Sequence, residues 1–276
     1  MQDWAFSSAA DYPLSRLAGL FTASFAGYLI PMQMSVEALA ERVAAEDIDL
    51  ASSRVVLSGG GPIGLGLVSR RGLDGRVAAM GLLPEARGQG GGRALLAELV
   101  AGARARGDRR LLLEVFESNA PARALYEHAG FRTTTRLVGY ESRQPESAPA
   151  DLREIDPAEF ARHMDPAVPL PWQLQAATLA APPSTARSFT LEDNAFVYLS
   201  AVSETRLAIR GLLTLREHRR QGWATRLLAG LAARFPRRAL SVVSLIPEPL
   251  GAEFFAARGF GRVTLTLLEM ALSLER

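Results

Sequence analysis

Leu83–Leu99 reads LPEARGQGGGRALLAEL, and 132 residues further on Leu215–Leu231 reads LREHRRQGWATRLLAGL. Nine of the 17 aligned positions are identical. Each copy follows an apolar run, passes through Arg-x-x-Gly-x-small and enters a stretch with leucines at helical spacing. With the offset shortened by three residues, Gly130-Phe131 also falls on Gly259-Phe260. A repeat of this length predicts two copies of one domain. Between them Glu141–Ala150 (ESRQPESAPA) is polar, holds two prolines and has no apolar period, the pattern of a linker. The expected domains are therefore 1–145 and 146–276.

Working outward in the first copy, Leu14, Leu17, Phe21, Phe25 and Tyr28 fall on one helical stripe, and a second helix is expected over 35–45 with Ser35 as cap. Arg54–Ser58 and Ile63–Val68 flank Gly59-Gly60-Gly61-Pro62 and read as a hairpin. Arg76–Leu83 is a third strand, Arg93–Arg106 a helix, and Arg109–Phe116 another apolar strand. Ala120–Ala129 follows as a short helix and Phe131–Tyr140 as a last strand. Gly59–Gly64 has the letters G-x-G-x-x-G, but it opens a strand, whereas a dinucleotide fingerprint must open a helix.

Composition narrows the chemistry. The 276 residues hold no cysteine, which excludes disulfides, thiolate nucleophiles and Cys-ligated metals. Every basic residue is arginine, which removes Schiff-base chemistry and the Gly-Lys-Ser/Thr phosphate loop. The three histidines are far apart in sequence, and no metal is expected. Thirty-one basic residues against 29 acidic ones give a net charge of +2 and leave no basic arm, so neither nucleic acid nor an anionic membrane is the expected partner. The apolar stretch 17–30 is interrupted by Thr22, Ser24 and Tyr28 and is too short to span a bilayer. A cytoplasmic protein is expected, consistent with the missing cysteines.

The loop Arg87-Gly88-Gln89-Gly90-Gly91-Gly92 has the context that the earlier glycine run lacks: a strand before it and a helix after it. Gly90 and Gly92 allow positive φ and a close backbone approach, and N–H groups at a helix start form an anion nest. Arg87 and Arg93 flank it. Downstream come Leu113-Glu114-Val115, then Asn119-Ala120-Pro121-Ala122-Arg123-Ala124-Leu125-Tyr126, then Gly130-Phe131.

The combined pattern R-x-x-G-x-G, N-x-x-A-x-x-L-Y, G-F resembles the GNAT superfamily of acetyl-CoA-dependent N-acetyltransferases over the N-terminal half. The C-terminal half resembles it more weakly, so the whole looks like a tandem GNAT. That resemblance implies an α/β (α+β) fold of two domains, each a mixed, mostly antiparallel sheet flanked by helices, with two central strands splayed around the pantetheine. It also implies that Gly88, Gln89, Gly90, Gly91, Gly92, Arg93 and Ala94 receive the pyrophosphate beside Arg87. Backbone at Leu82 and Leu83 would pair with pantetheine, Asn119 would contact the cofactor arm, and Tyr126 would face the thioester sulfur.

The implied reaction is direct attack of an amine on acetyl-CoA, which needs neither Cys, Lys nor metal. Tyr126 is the expected proton donor. Glu114, the one charge inside LLLEV, is the expected base, with water able to carry the proton to it or to Glu117 just after it; the alternative is a carboxylate facing solvent or pairing with an arginine. In the second half the Pro position is Arg216, the Tyr position Phe255 and the Asn position Glu248, which leaves that half cofactor-binding at most. The acceptor is expected to be a small-molecule or peptide amine, met by Phe21, Phe25, Tyr28, Ile30, Met32 and Met34. The competing function is a protein that binds acetyl-CoA without turnover.

Overall fold

The computed structural model describes residues 4–275. Two compact units are present, one running to Thr134 and regaining the chain from Leu268, the other spanning Thr135–Leu267. The first holds β1 (Ala5–Ser8), α1 (Leu14–Ser24), α2 (Val36–Ala45), β2 (Arg54–Ser58), β3 (Gly61–Arg71), β4 (Asp74–Leu82), α3 (Gly91–Arg106), β5 (Arg110–Phe116) and α4 (Ala120–His128). Its strands lie in the order β1-β2-β3-β4-β5 and then β13 (Leu267–Ser273), the last strand of the chain. Pairing is antiparallel from β1 to β4 and parallel between β4 and β5.

Local sequence explains most of these elements. Gly59 and Gly60 take positive φ and turn β2 into β3, as a hairpin requires. Ser35 accepts the Ala38 N–H at 3.1 Å and caps α2. The stripe expected over 14–28 is helical only to Ser24. Gly27 then turns with φ +70, so Phe25 and Tyr28 leave the helix and reach toward the sheet. Leu95, Leu96 and Leu99 of α3 pack on one face of the sheet with Val77, Leu82, Leu111 and Leu113. Leu17 and Phe21 of α1 pack on the other face with Leu65, Leu67 and Ala79.

The two central strands part where the ladder meets a buried charge. β4 and β5 are in register only over Asp74↔Arg110, Gly75↔Leu111 and Arg76↔Leu112. Just beyond, β4 bulges: Val77 opposes Val68, Ala79 opposes Leu67, and Ala78 is left over. The Ala78 carbonyl accepts a 2.8 Å hydrogen bond from Arg42 of α2. Arg76, 2% exposed, pairs with Glu46 at 2.8 Å and with Glu114 at 2.7 Å.

The second unit holds β6 (Arg132–Ser142, from Thr135 on), β7 (Leu152–Ile155), α5 (Pro157–Arg162), α6 (Ala176–Leu179), β8 (Arg187–Leu191), β9 (Ala195–Val202) and β10 (Arg206–Thr214). It continues through α7 (Trp223–Arg234), β11 (Ala239–Pro247), α8 (Ala252–Ala256) and β12 (Gly261–Arg262). The order is β6-β11-β10-β9-β8-β7, with β12 also on β6. Its parallel pair, β10 with β11, is likewise in register only from Arg206↔Ala239 to Ile209↔Val242. Both units therefore have the expected splay.

The expected division at 145 does not coincide with these units. Glu141 and Ser142 still pair with β11, so the chain leaves the first unit inside a strand, before the polar linker begins. At the other end β13 supplies Leu268, Met270 and Leu272 to the first unit's core, beside Leu111, Leu113 and Phe131. A strand that returns from the far end of a chain carries no local signal that distinguishes it from one that stays. Ending the chain at Thr266 should cost about 1.5–3 kcal/mol for each of these buried side chains. That sum is comparable with the roughly 5–15 kcal/mol that holds a whole domain. The expected outcome is loss of the first unit's cooperative melting, read by calorimetry; an unchanged transition would contradict the swapped-strand account.

Candidate active site

The site of the first unit is built where β4 ends. Leu83 donates its N–H to the Ile63 carbonyl at 2.8 Å, a 3-10 turn covers Pro84–Ala86, and α3 starts after Gly90. Gly88 has φ +75 and Gly90 φ +92, the left-handed region that glycine enters without steric cost. No atom lies within 4 Å of a Cβ built on either residue, so the space above them is open. No side chain caps α3, which leaves the first-turn N–H groups of Gly91, Gly92 and Arg93 for a ligand. Ala94 is different: its N–H already donates to the Gly90 carbonyl at 3.1 Å.

Two expected phosphate partners have other work. The Arg87 guanidinium donates to the carbonyls of Leu82 (3.0 Å), Ser24 (3.2 Å) and Ala26 (2.8 Å). It satisfies acceptors orphaned at the C-terminus of α1 and ties that end to β4. Gly81 permits the approach, since a Cβ there would stand 3.0 Å from the Ser24 carbonyl oxygen. Gln89 donates to the Glu85 carbonyl at 2.8 Å and braces the turn. Arg93 is exposed at the first turn of α3. On β4, Leu83 is committed to β3, and strand alternation turns the backbone of Met80 and Leu82 toward the splay.

On the far side of the splay, Asn119 caps α4. Its Oδ1 accepts the Ala122 N–H at 3.3 Å and its Nδ2 donates to the Tyr28 hydroxyl at 3.5 Å. Tyr28 stands between Phe25 (ring centroids 5.3 Å apart) and Phe116 (5.7 Å). Burial pushes the Tyr28 hydroxyl above the ordinary phenol range, opposed in part by Asn119. Tyr126 is buried against Phe131, and burial followed by the nearby Tyr28 raises its hydroxyl further. Both phenols hold their protons at neutral pH. Phe21 is fully buried and belongs to the core beneath α1, not to an open acceptor wall.

Glu114 is not placed as a free base. Its side chain is 4% exposed and accepts from Arg76 Nε at 2.8 Å as well as from Nη2. The two carboxylates hold Arg76 protonated in spite of its burial.

This geometry has counterparts among known proteins. Residues 31–131 match the acetyltransferase (GNAT) family. That segment is a GNAT acetyltransferase domain. A tandem GNAT protein from the clavulanic acid biosynthesis pathway is 16% identical, with a TM-score of 0.66 over 100% of this chain and 99% of that one. A GCN5-related N-acetyltransferase from Sphaerobacter thermophilus is 16% identical with a TM-score of 0.66 over 99% and 96% of the two chains. A putative acetyltransferase from Pyrococcus horikoshii is 16% identical with a TM-score of 0.65 over 99% and 89%. These likenesses establish a tandem GNAT fold over the whole length. No curated protein matches the sequence.

The second GNAT unit keeps the braces and lacks the donors. Arg219 donates to the Thr214 carbonyl at 3.2 Å and Gln221 to the Glu217 carbonyl at 2.9 Å, the counterparts of Arg87 and Gln89. Arg220 takes φ +64 where the first unit has Gly88, and Gly222 caps α7 with φ +83. Phe255 replaces the tyrosine and stacks on Tyr140 at 4.7 Å. Glu248 is bound to Arg262 and lies 3.6 Å from Arg136, and the cap of the shortened α8 is Gly251.

GNAT enzymes act with acetyl-CoA on small-molecule or protein amines. No helix among the described residues is long and apolar enough to cross a membrane, and none of their side chains form a group of three or more metal-ligating residues. Gly90→Val tests the loop. An L residue at this φ costs about 1–2 kcal/mol, and a branched one more. The loop should shift and acetyl-CoA affinity should fall by an order of magnitude or more in calorimetry, with only a small change in melting temperature. Unchanged affinity would contradict the assignment.

Proposed function

We propose that the first unit transfers an acetyl group from acetyl-CoA directly to a primary amine of a small molecule or peptide, with no covalent enzyme intermediate. The observation that carries this reading is the juxtaposition, in one splay, of an uncapped glycine-rich helix start with two protonated tyrosines, Tyr126 buried and Tyr28 half-buried. The N–H groups of Gly91, Gly92 and Arg93, with the Arg93 guanidinium, receive the pyrophosphate. The backbone edge at Met80 and Leu82 receives the pantetheine amides. Arg87 and Gln89 act one step back, holding the loop and the end of α1 in place.

Tyr126 has the role of donor to the departing sulfur. Because its proton is held firmly, it acts as a fixed hydrogen-bond donor that stabilises negative charge as the carbon–sulfur bond breaks. Asn119 positions Tyr28 and the start of α4. Glu114 serves the frame through Arg76. The second unit, with Phe255 where a donor is required, does no chemistry.

Tyr126→Phe keeps the ring and its packing on Phe131 while deleting the hydroxyl. Turnover should fall by about 10²–10⁴-fold with acetyl-CoA affinity unchanged, as measured on the most active member of an amine panel. Phe255→Tyr should create no activity. Full turnover in Tyr126→Phe, or an effect confined to KM, would overturn the assignment.

A further inference from the structure

The proposed reaction needs a group that takes a proton from the amine, and Glu114 is held by Arg76. Another carboxylate reaches the same face of the sheet from the far end of the chain. Leu274 donates its N–H to the Arg109 carbonyl at 2.8 Å, so the end of β13 lies beside the start of β5 and the two strands run antiparallel. Counting back along β13 and forward along β5 from that bond puts Glu269 opposite Glu114. Leu268 and Met270 point into the core beneath α3, as do Leu111, Leu113 and Val115. Alternation therefore sends Glu269, Glu114 and Phe116 to the other face.

Phe25, Tyr28, Met32 and Met34, the residues expected to meet the acceptor, pack on that face. Glu114 precedes Phe116 by two residues, about 7 Å along the strand. The Phe116 ring contacts Tyr28, and Tyr28 is close enough to Tyr126 to influence its titration. An apolar wall thus leads from the carboxylates to the proposed proton donor.

We propose that Glu269 is the carboxylate that attracts the acceptor ammonium group and takes, through bridging water, the proton that frees its nitrogen for attack. The inference rests on the transferase reading above. The ammonium first gives one proton through that water to Glu269, which frees the lone pair; the nitrogen then bonds to the acetyl carbonyl carbon and the carbon–sulfur bond breaks. The sulfur keeps the electron pair beside Tyr126 and leaves as the thiol after protonation. Glu269 returns the first proton to solvent, and the second, lost from nitrogen as the amide forms, balances the one that the sulfur takes up.

The surroundings of Glu269 differ from those of Glu114. Thr134 donates to its carboxylate at 3.0 Å and to its backbone carbonyl at 3.2 Å. Arg76 and Arg110 are near enough to influence it, but Arg76 is held by Glu46 and Glu114, and Arg110 by Asp74 at 2.6 Å. Burial, with the Glu114 charge adding to it, outweighs Thr134 and the two arginines and raises the Glu269 carboxyl above the ordinary range. A raised carboxylate is a stronger base than an ordinary one. The substrate class is a primary ammonium on a small apolar body that packs along Phe116 and Tyr28, its nitrogen reaching Glu269 through water.

Glu269→Gln keeps the size and the contact with Thr134. In the wild type, kcat/KM for amines should show an acidic limb above the ordinary glutamate pKa of about 4.3. The variant should lose that limb and about 10²-fold in kcat/KM, with acetyl-CoA affinity and melting temperature unchanged. Butylammonium binding to the CoA-loaded protein, followed by NMR, should weaken by about tenfold or more independently of turnover. Retained butylammonium binding, a retained acidic limb, or an equal loss of acetyl-CoA affinity would each overturn the proposal. Glu269-dependent butylammonium binding in a wild type that acetylates no amine would support the amine site and count against the transferase reading.

Discussion

Arg76 is the constraint on which the first unit depends. It lies 2% exposed on β4 at the last rung shared with β5, between Glu46 of α2 and Glu114 of β5. Arg42 continues the chain of charges, binding Glu46 at 3.2 Å and the carbonyl of the bulge residue Ala78 at 2.8 Å. A buried arginine must have its charge met, and breaking such a set by removing one member typically costs about 3–5 kcal/mol. Its worth here is less in net stability than in geometry. It fastens α2, β4 and β5 together at the point where the two strands separate, and the splay opens directly above it.

The two units show which features of this fold are architectural and which are chemical. An arginine on the carbonyl that ends the central strand, a glutamine bracing the turn and a left-handed glycine at the helix start recur in both. So does the closing turn after α4 and α8, where Phe131 donates to Tyr126 and Phe260 to Phe255. A tyrosine on the short helix and an asparagine at its cap belong to α4; α8 has Phe255 and Gly251 in their places. Duplication preserved the scaffold, and the side chains that could act on a thioester differ.

Much of this was legible in residue order. The repeat, the hairpin at Gly59–Gly60, the helix after Gly90 and the short helix bearing Tyr126 follow from glycine placement and apolar period, both local properties. What sequence could not reveal is non-local. Arg87 looks like a phosphate ligand until the end of α1 is seen to need its donors. Glu114 looks like a lone strand carboxylate until Arg76, on a different strand, closes on it. β13 reads as the last strand of the second copy, and only the core around Phe131 shows that it completes the first. Glu269 carries no local signal for the same reason, since Thr134, which donates to its carboxylate, is 135 residues away in the chain.

The central claim is that one splay, that of the first unit, is where acetyl-CoA is held and used. Hydrogen exchange with and without acetyl-CoA reads this most directly, residue by residue. The account predicts strong protection at residues 88–93 and along Met80–Leu82, with one tight site per chain and little change at residues 220–224. Equal protection of both loops, or protection confined to 220–224, would contradict it.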